Sequence, residues 1–129
     1  MLAVDTNVLV RILIDDPASV RQCEAARRLA AEAESVYVAQ VVQVETVWVL
    51  DSVYRFGRAK LADALMGLTT NRGFDLQRPE VFREALRKFR TGTVNFADYI
   101  ILAEAHAIDT ELATFDKKLS KQTGVRLVA

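Results

Sequence analysis

The chain has 129 residues, with 17 Lys plus Arg against 17 Asp plus Glu and a formal net charge of zero. That length suits one domain burying roughly two-thirds of the surface its unfolded form exposes, and the balanced charge excludes a global field that would draw in a polyanion, leaving any nucleic-acid contact to a local patch. A single cysteine, Cys23, excludes an internal disulfide and fits a reducing compartment, and no apolar run approaches the roughly 20 residues that span a bilayer, so the expectation is one soluble, cytoplasmic domain over residues 1–129 with no membrane contact.

The first dozen residues carry the first signal. Leu2-Ala3-Val4 stops at Asp5, and a second apolar run with a different period begins two residues later. This predicts a buried strand with Asp5 at its C-terminal end and a helix capped by Thr6 or Asn7. That helix must end near Asp15-Asp16-Pro17, where Asp16 as N-cap and Pro17 at the first helical position begin the next one. Ser19 to Glu34 reads as an alanine-rich surface helix with Arg21, Glu24, Arg27, Arg28 and Glu32 mostly facing solvent. Ser35 to Ala39 is a second short strand.

Gln40 to Phe56 suits either a strand or a buried helix, and its length decides for helix, with Gly57 as a C-terminal stop. Glu45 then has Val41, Val42, Trp48 and Val49 as its three- and four-residue neighbours. A carboxylate in the middle of an apolar face is costly unless something compensates it. Arg58 to Thr70 is another helix, Phe74 to Leu76 a short strand, and Pro79 starts a helix that stops around Gly92. From Arg55 to Arg90 there are nine bases against four acids, which fits a solvated helix face or a phosphate-binding surface.

Asn95 is placed to cap a helix running to about Ala107, with Asp98 three residues on as a reciprocal cap or a site acid. Glu111 to Thr114 is a strand, a short helix runs from Lys117 to about Gln122, and Gly124 turns the chain into a last strand from Val125 to Val128. Asp116 is either the cap of that short helix or a site acid. His106 is the only histidine.

Strands alternate with helices, which predicts an α/β fold with a mainly parallel sheet and helices on both faces. Ligands in such folds bind outside the carboxyl ends of the strands. Asp5 and Asp116 leave strand ends, Asp98 starts a helix that can open at the same edge, and Glu45 joins them if its helix begins there. Two carboxylates about 4 Å apart repel by on the order of 4 kcal/mol at an effective dielectric of 20, so such a group must take up protons or bind a cation. Oxygen ligands without histidine or cysteine point to Mg²⁺ or Mn²⁺. Such an ion neutralises a phosphodiester oxygen and activates water.

Asp5-Thr6-Asn7-Val8-Leu9, the valine-rich helix with Glu45 three residues before Trp48, Phe96-Ala97-Asp98, and Thr114-Phe115-Asp116 resemble, in order, the motifs of PIN-domain ribonucleases, and in particular the VapC toxins of bacterial and archaeal toxin–antitoxin pairs. The resemblance implies a three-layer PIN-like fold with a central sheet of four or five strands in the order 3-2-1-4-5. It implies that Asp5, Glu45, Asp98 and Asp116 are catalytic metal ligands, with Thr6, Asn7 and Thr114 shaping the site. The implied activity is Mg²⁺- or Mn²⁺-dependent endonucleolytic hydrolysis of RNA, leaving 5′-phosphate and 3′-hydroxyl ends. The implied partners are an RNA substrate, a small VapB-like antitoxin and a second copy in a homodimer. Two departures are visible: position 95, often acidic in relatives, is Asn, and the glycine commonly found after the Asp98 helix is absent from His106-Ala107-Ile108-Asp109.

Two rivals differ in kind. A phospho-accepting receiver domain wants paired acids after its first strand, where this chain has Thr6-Asn7. A PIN-like module that binds RNA or a partner without cutting has no need of four intact acids.

Overall fold

The computed structural model describes residues 1–129 and is a mixed α/β fold with six helices and parallel strand pairs. Two compact units make up the chain, Met1–Gln77 and Arg78–Ala129. No helix is long and apolar enough to cross a membrane.

The first unit holds β1 (Leu2–Ala3), α1 (Thr6–Leu13), a 3₁₀ turn (Pro17–Ser19), α2 (Val20–Glu32), β2 (Val36–Val38), α3 (Gln40–Ser52), α4 (Arg58–Thr70) and β3 (Phe74–Leu76). β2 is the middle strand, with Leu2 opposite Val36 and Val36 opposite Phe74. Each strand is reached through helices, as parallel pairing requires. α1 buries Leu9 and Val10 and packs on α2 and α3.

Arg27 is exposed, as expected, and its head group is also tied to the backbone. Its guanidinium donates to the carbonyls of Ile12 at 3.1 Å and Ile14 at 2.9 Å and to Asp15 at 2.7 Å, satisfying carbonyls that the end of α1 leaves without helical partners. Asp16 does start the following segment, accepting the Ala18 N–H at 2.9 Å, although the first turn is 3₁₀ before α2 continues. Its other oxygen accepts the Tyr54 hydroxyl at 2.9 Å.

α3 corrects an expectation. Glu45 is exposed, and it shares its face with Val41 and Trp48, which are 65% and 67% exposed. The helix buries Val42, Gln43, Thr46, Val47 and Leu50 instead. A helix apolar nearly all round does not reveal from its own sequence which side will be covered, and here Gln43 takes the inner side. Its amide donates to the carbonyls of Val38 at 3.2 Å and Gln77 at 2.9 Å, tying α3 to the ends of β2 and β3.

The second unit holds α5 (Pro79–Thr91), α6 (Phe96–Ala107), β4 (Leu112–Thr114), a 3₁₀ turn (Leu119–Lys121) and β5 (Val125–Leu127). α5 packs Val81, Phe82, Ala85, Leu86 and Phe89 on its buried side, and Phe96 of α6 meets Phe82 and Phe89 edge-on at 5.6 and 5.7 Å between ring centres. β4 and β5 pair in parallel with Leu112 opposite Val125. The strands pair as two sheets, one in the order β1-β2-β3 and one of β4 and β5, so the β1–β4 neighbourhood expected in a single sheet of order 3-2-1-4-5 is not among the pairings.

His106 ties this unit together. Its Nε2 lies 3.1 Å from the Thr123 carbonyl, and its Nδ1 lies 3.3 Å from Glu84 Oε1 and 3.5 Å from Lys88 Nζ. Gly124, at φ 83°, follows this contact, and a Cβ there would stand 2.9 Å from His106 Nε2.

Candidate acidic site

Asp5 is itself the cap of α1: its Oδ1 accepts the Val8 N–H at 3.0 Å, and Thr6 and Asn7 are the first two helical residues. The expected cap at Thr6 or Asn7 is therefore displaced by one or two positions. This frees the Thr6 hydroxyl, which donates to Glu45 Oε1 at 3.0 Å and links the start of α1 to α3. Glu45 thus gains a fixed partner at the surface, and the burial cost expected of it does not arise. Asn7 turns to other company, lining with Asp5, Val8, Arg11, Gln22 and Leu29 part of a mostly apolar groove of about 470 Å³ beside α1 and α2.

Asp98 lies in the first turn of α6, and Asp116 follows β4. The two line one cavity of about 160 Å³ together with Thr93, Val94, Asn95 and Lys118. Burial, and after it the negative charge of Asp116, pushes the Asp98 carboxyl above its ordinary range. A helix N-terminus favours the ionised form, so desolvation and like charge here outweigh the helix dipole. Asn95 occupies the cap position of α6 but makes no side-chain capping bond.

Asp116 does cap. Its Oδ1 accepts the N–H groups of Lys118 at 2.8 Å and Leu119 at 3.1 Å, and the segment expected as a helix contracts to the single 3₁₀ turn that follows. Thr114 accepts the Asp116 N–H on its hydroxyl oxygen at 3.0 Å, fixing the backbone that carries the acid.

The structure therefore brings Thr6 to Glu45 in the first unit, and Asp98 to Asp116 in the second, with Thr114 behind Asp116. Sequence reasoning missed Thr93 and Lys118 in the cavity wall. Thr93 stands two residues before Asn95 and Lys118 two after Asp116, so reading outward from the predicted residues finds both.

Within each unit, no three carboxylate, imidazole or thiol groups gather as a metal-binding group. The Asp98–Asp116 cavity nevertheless has the right donor chemistry for a small hard cation: two carboxylates, an amide and a hydroxyl, with neither histidine nor cysteine in its wall. A cation there would also relieve the like-charge contact that raises Asp98. The family model for the PIN domain matches residues 2–124, a span that runs through both units. No curated protein shows a significant match to the chain.

Proposed function

Because the chain belongs to the PIN domain family, whose members are generally nucleases that use divalent metal ions, we propose that it is a Mg²⁺- or Mn²⁺-dependent endoribonuclease. The observation that carries this reading is the convergence of Asp98 and Asp116 on one cavity, with the Asp98 carboxyl raised by burial and by its neighbour. A bound divalent ion supplies charge neutralisation at a phosphodiester oxygen and a more acidic water.

The chain's own residues do the rest. Asp98 and Asp116 would hold the ion, and by its motif Asp5, fixed at the start of α1, would be a further ligand. Glu45, steadied by the Thr6 hydroxyl, orients the attacking water and takes up its proton. Lys118 meets the substrate phosphate with a positive charge at the cavity wall. Thr114 keeps the Asp116 backbone in place. Water attacks phosphorus as the P–O3′ bond breaks, and the leaving 3′ oxygen takes a proton from solvent, giving 5′-phosphate and 3′-hydroxyl ends.

The finer reading is a VapC-type toxin that acts as a homodimer and is blocked by a small VapB-like antitoxin. It is supported by the ordered motifs at Asp5-Thr6-Asn7, Glu45, Phe96-Ala97-Asp98 and Thr114-Phe115-Asp116. Purified protein incubated with end-labelled RNA is expected to cut it in Mn²⁺ and not in chelator. Asp5→Asn and Asp98→Asn are expected to abolish cutting while circular dichroism stays that of the parent. Cleavage retained by Asp98→Asn in saturating Mg²⁺ would refute the assignment.

A further inference from the structure

Arg83, Arg87 and Arg90 are exposed on α5, at spacings of four and three residues that stack side chains along one side of a helix. Of the neighbouring charges, Glu84 lies 3.5 Å from Lys88 Nζ and 3.3 Å from His106 Nδ1, and Arg78 is 2.9 Å from Glu104, while Glu80 stays exposed in the first turn. Arg83 and Arg87 have neither an ion-pair nor a hydrogen-bond partner.

Helix stability does not account for this row. Arg83 and Arg87 lie outside the last turn of α5, the turn in which the dipole would support a base. Arg83 and Arg87 are like charges at a four-residue spacing, which destabilises a helix. Of the three, only Arg90 stands in the last turn, where the dipole supports it.

The row also leads somewhere. α5 ends at Thr91, and Thr93 and Asn95 line the cavity with Asp98 and Asp116. At 1.5 Å per helical residue and about 3.5 Å per extended one, Arg90, Arg87 and Arg83 lie no more than about 9, 13 and 19 Å of backbone from Thr93. Successive backbone positions of the row rise by about 4.5 to 6 Å along the helix axis, a repeat that flexible side chains can match to a polymer with one anionic group per unit. Guanidinium also matches phosphate oxygens two at a time.

The geometry points to Arg83, Arg87 and Arg90 as a track for the phosphodiester backbone of a single-stranded RNA that enters the Asp98–Asp116 cavity, an assignment that rests on the nuclease reading. The test is binding of a labelled single-stranded RNA long enough to cover α5, in chelator, from about 50 to 200 mM salt. Replacing Arg83→Gln and Arg87→Gln together is expected to flatten the slope of log affinity against log salt by about 1.4, at roughly 0.7 per lost phosphate contact. Arg83→Lys with Arg87→Lys keeps the charge and is expected to keep the parent slope. In Mn²⁺, the Gln pair is expected to raise KM for the long RNA while kcat, and cleavage of a dinucleotide, stay unchanged.

A slope unchanged in the Gln pair overturns the track, and this includes the case in which the row serves an acidic protein. An equal loss on dinucleotide and long RNA overturns it as well. If the parent protein cuts neither RNA, the nuclease reading fails on its own, and the salt slope still decides whether the arginines carry RNA.

Discussion

Asp16 and Asp98 both stand near helix starts, and their surroundings push them in opposite directions. The Ala18 N–H and then the Tyr54 hydroxyl hold Asp16 below the ordinary carboxylate range, against a burial effect that outweighs only the Arg11 charge. Its contribution to stability is present above the ordinary carboxylate pKa and is lost as pH falls through the lowered native value. Asp98 is raised, so its contribution favours the fold below the ordinary pKa and is lost as pH rises through the raised native value. Asp98→Asn is therefore expected to melt higher than the parent at neutral pH, with the gain disappearing in acid, even as it abolishes cleavage. Asp16→Asn is expected to melt lower at neutral pH, with the deficit shrinking in acid; melting curves across pH read both signs. The role of Asp16 was legible in the sequence because Asp-Pro is a local signal. The exposure of Glu45 was not, because the covered face of α3 is chosen by what packs on it.

Among the elements, the connection from α5 to α6 sets the cavity wall. Gly92 lies so close to Tyr99 that a Cβ would run into the phenol oxygen and stand 2.8 Å from the Lys88 carbonyl. The same phenol accepts the Val94 N–H at 3.4 Å, so one tyrosine positions the stretch between Gly92 and Asn95. Gly92→Ala is expected to lower stability by about 2 kcal/mol through overpacking, seen as a lower urea midpoint. Arg55 presents the opposite case, a non-glycine residue at φ 56° on the surface. Arg55→Gly is expected to gain up to about 1 kcal/mol by relieving left-handed strain, read from the same urea curves. Asp109, in the stretch after the Asp98 helix that lacks the expected glycine, takes φ 54° and so makes a left-handed turn without it. Most elements were legible from Pro, Gly and apolar periodicity, β3 and α4 to the residue. The tie made by His106 was not, because Glu84 and Thr123 come from segments 22 and 17 residues away.

Across the whole molecule, zero net charge conceals a division. The unit Met1–Gln77 carries eight bases and ten acids, and the unit Arg78–Ala129 nine bases and seven acids. Composition alone shows only the balance, since the division depends on where the chain folds into separate units. A ligand that binds only the native state raises its stability, by about 2.7 kcal/mol at a hundredfold excess over Kd. Mn²⁺ is accordingly expected to raise the melting temperature of the parent protein and to leave that of Asp98→Asn unmoved. The capping bonds add a further consequence, for which ion is chosen. Asp116 gives Oδ1 to two backbone N–H groups, which leaves chiefly its other oxygen for a guest and disfavours bidentate grasp. Calcium gathers roughly six to eight oxygens, often taking both from one carboxylate, whereas magnesium keeps much of its own water. Calcium is thus expected to produce a smaller thermal shift than Mn²⁺ or Mg²⁺ at equal concentration, because folding has already claimed an oxygen it would need.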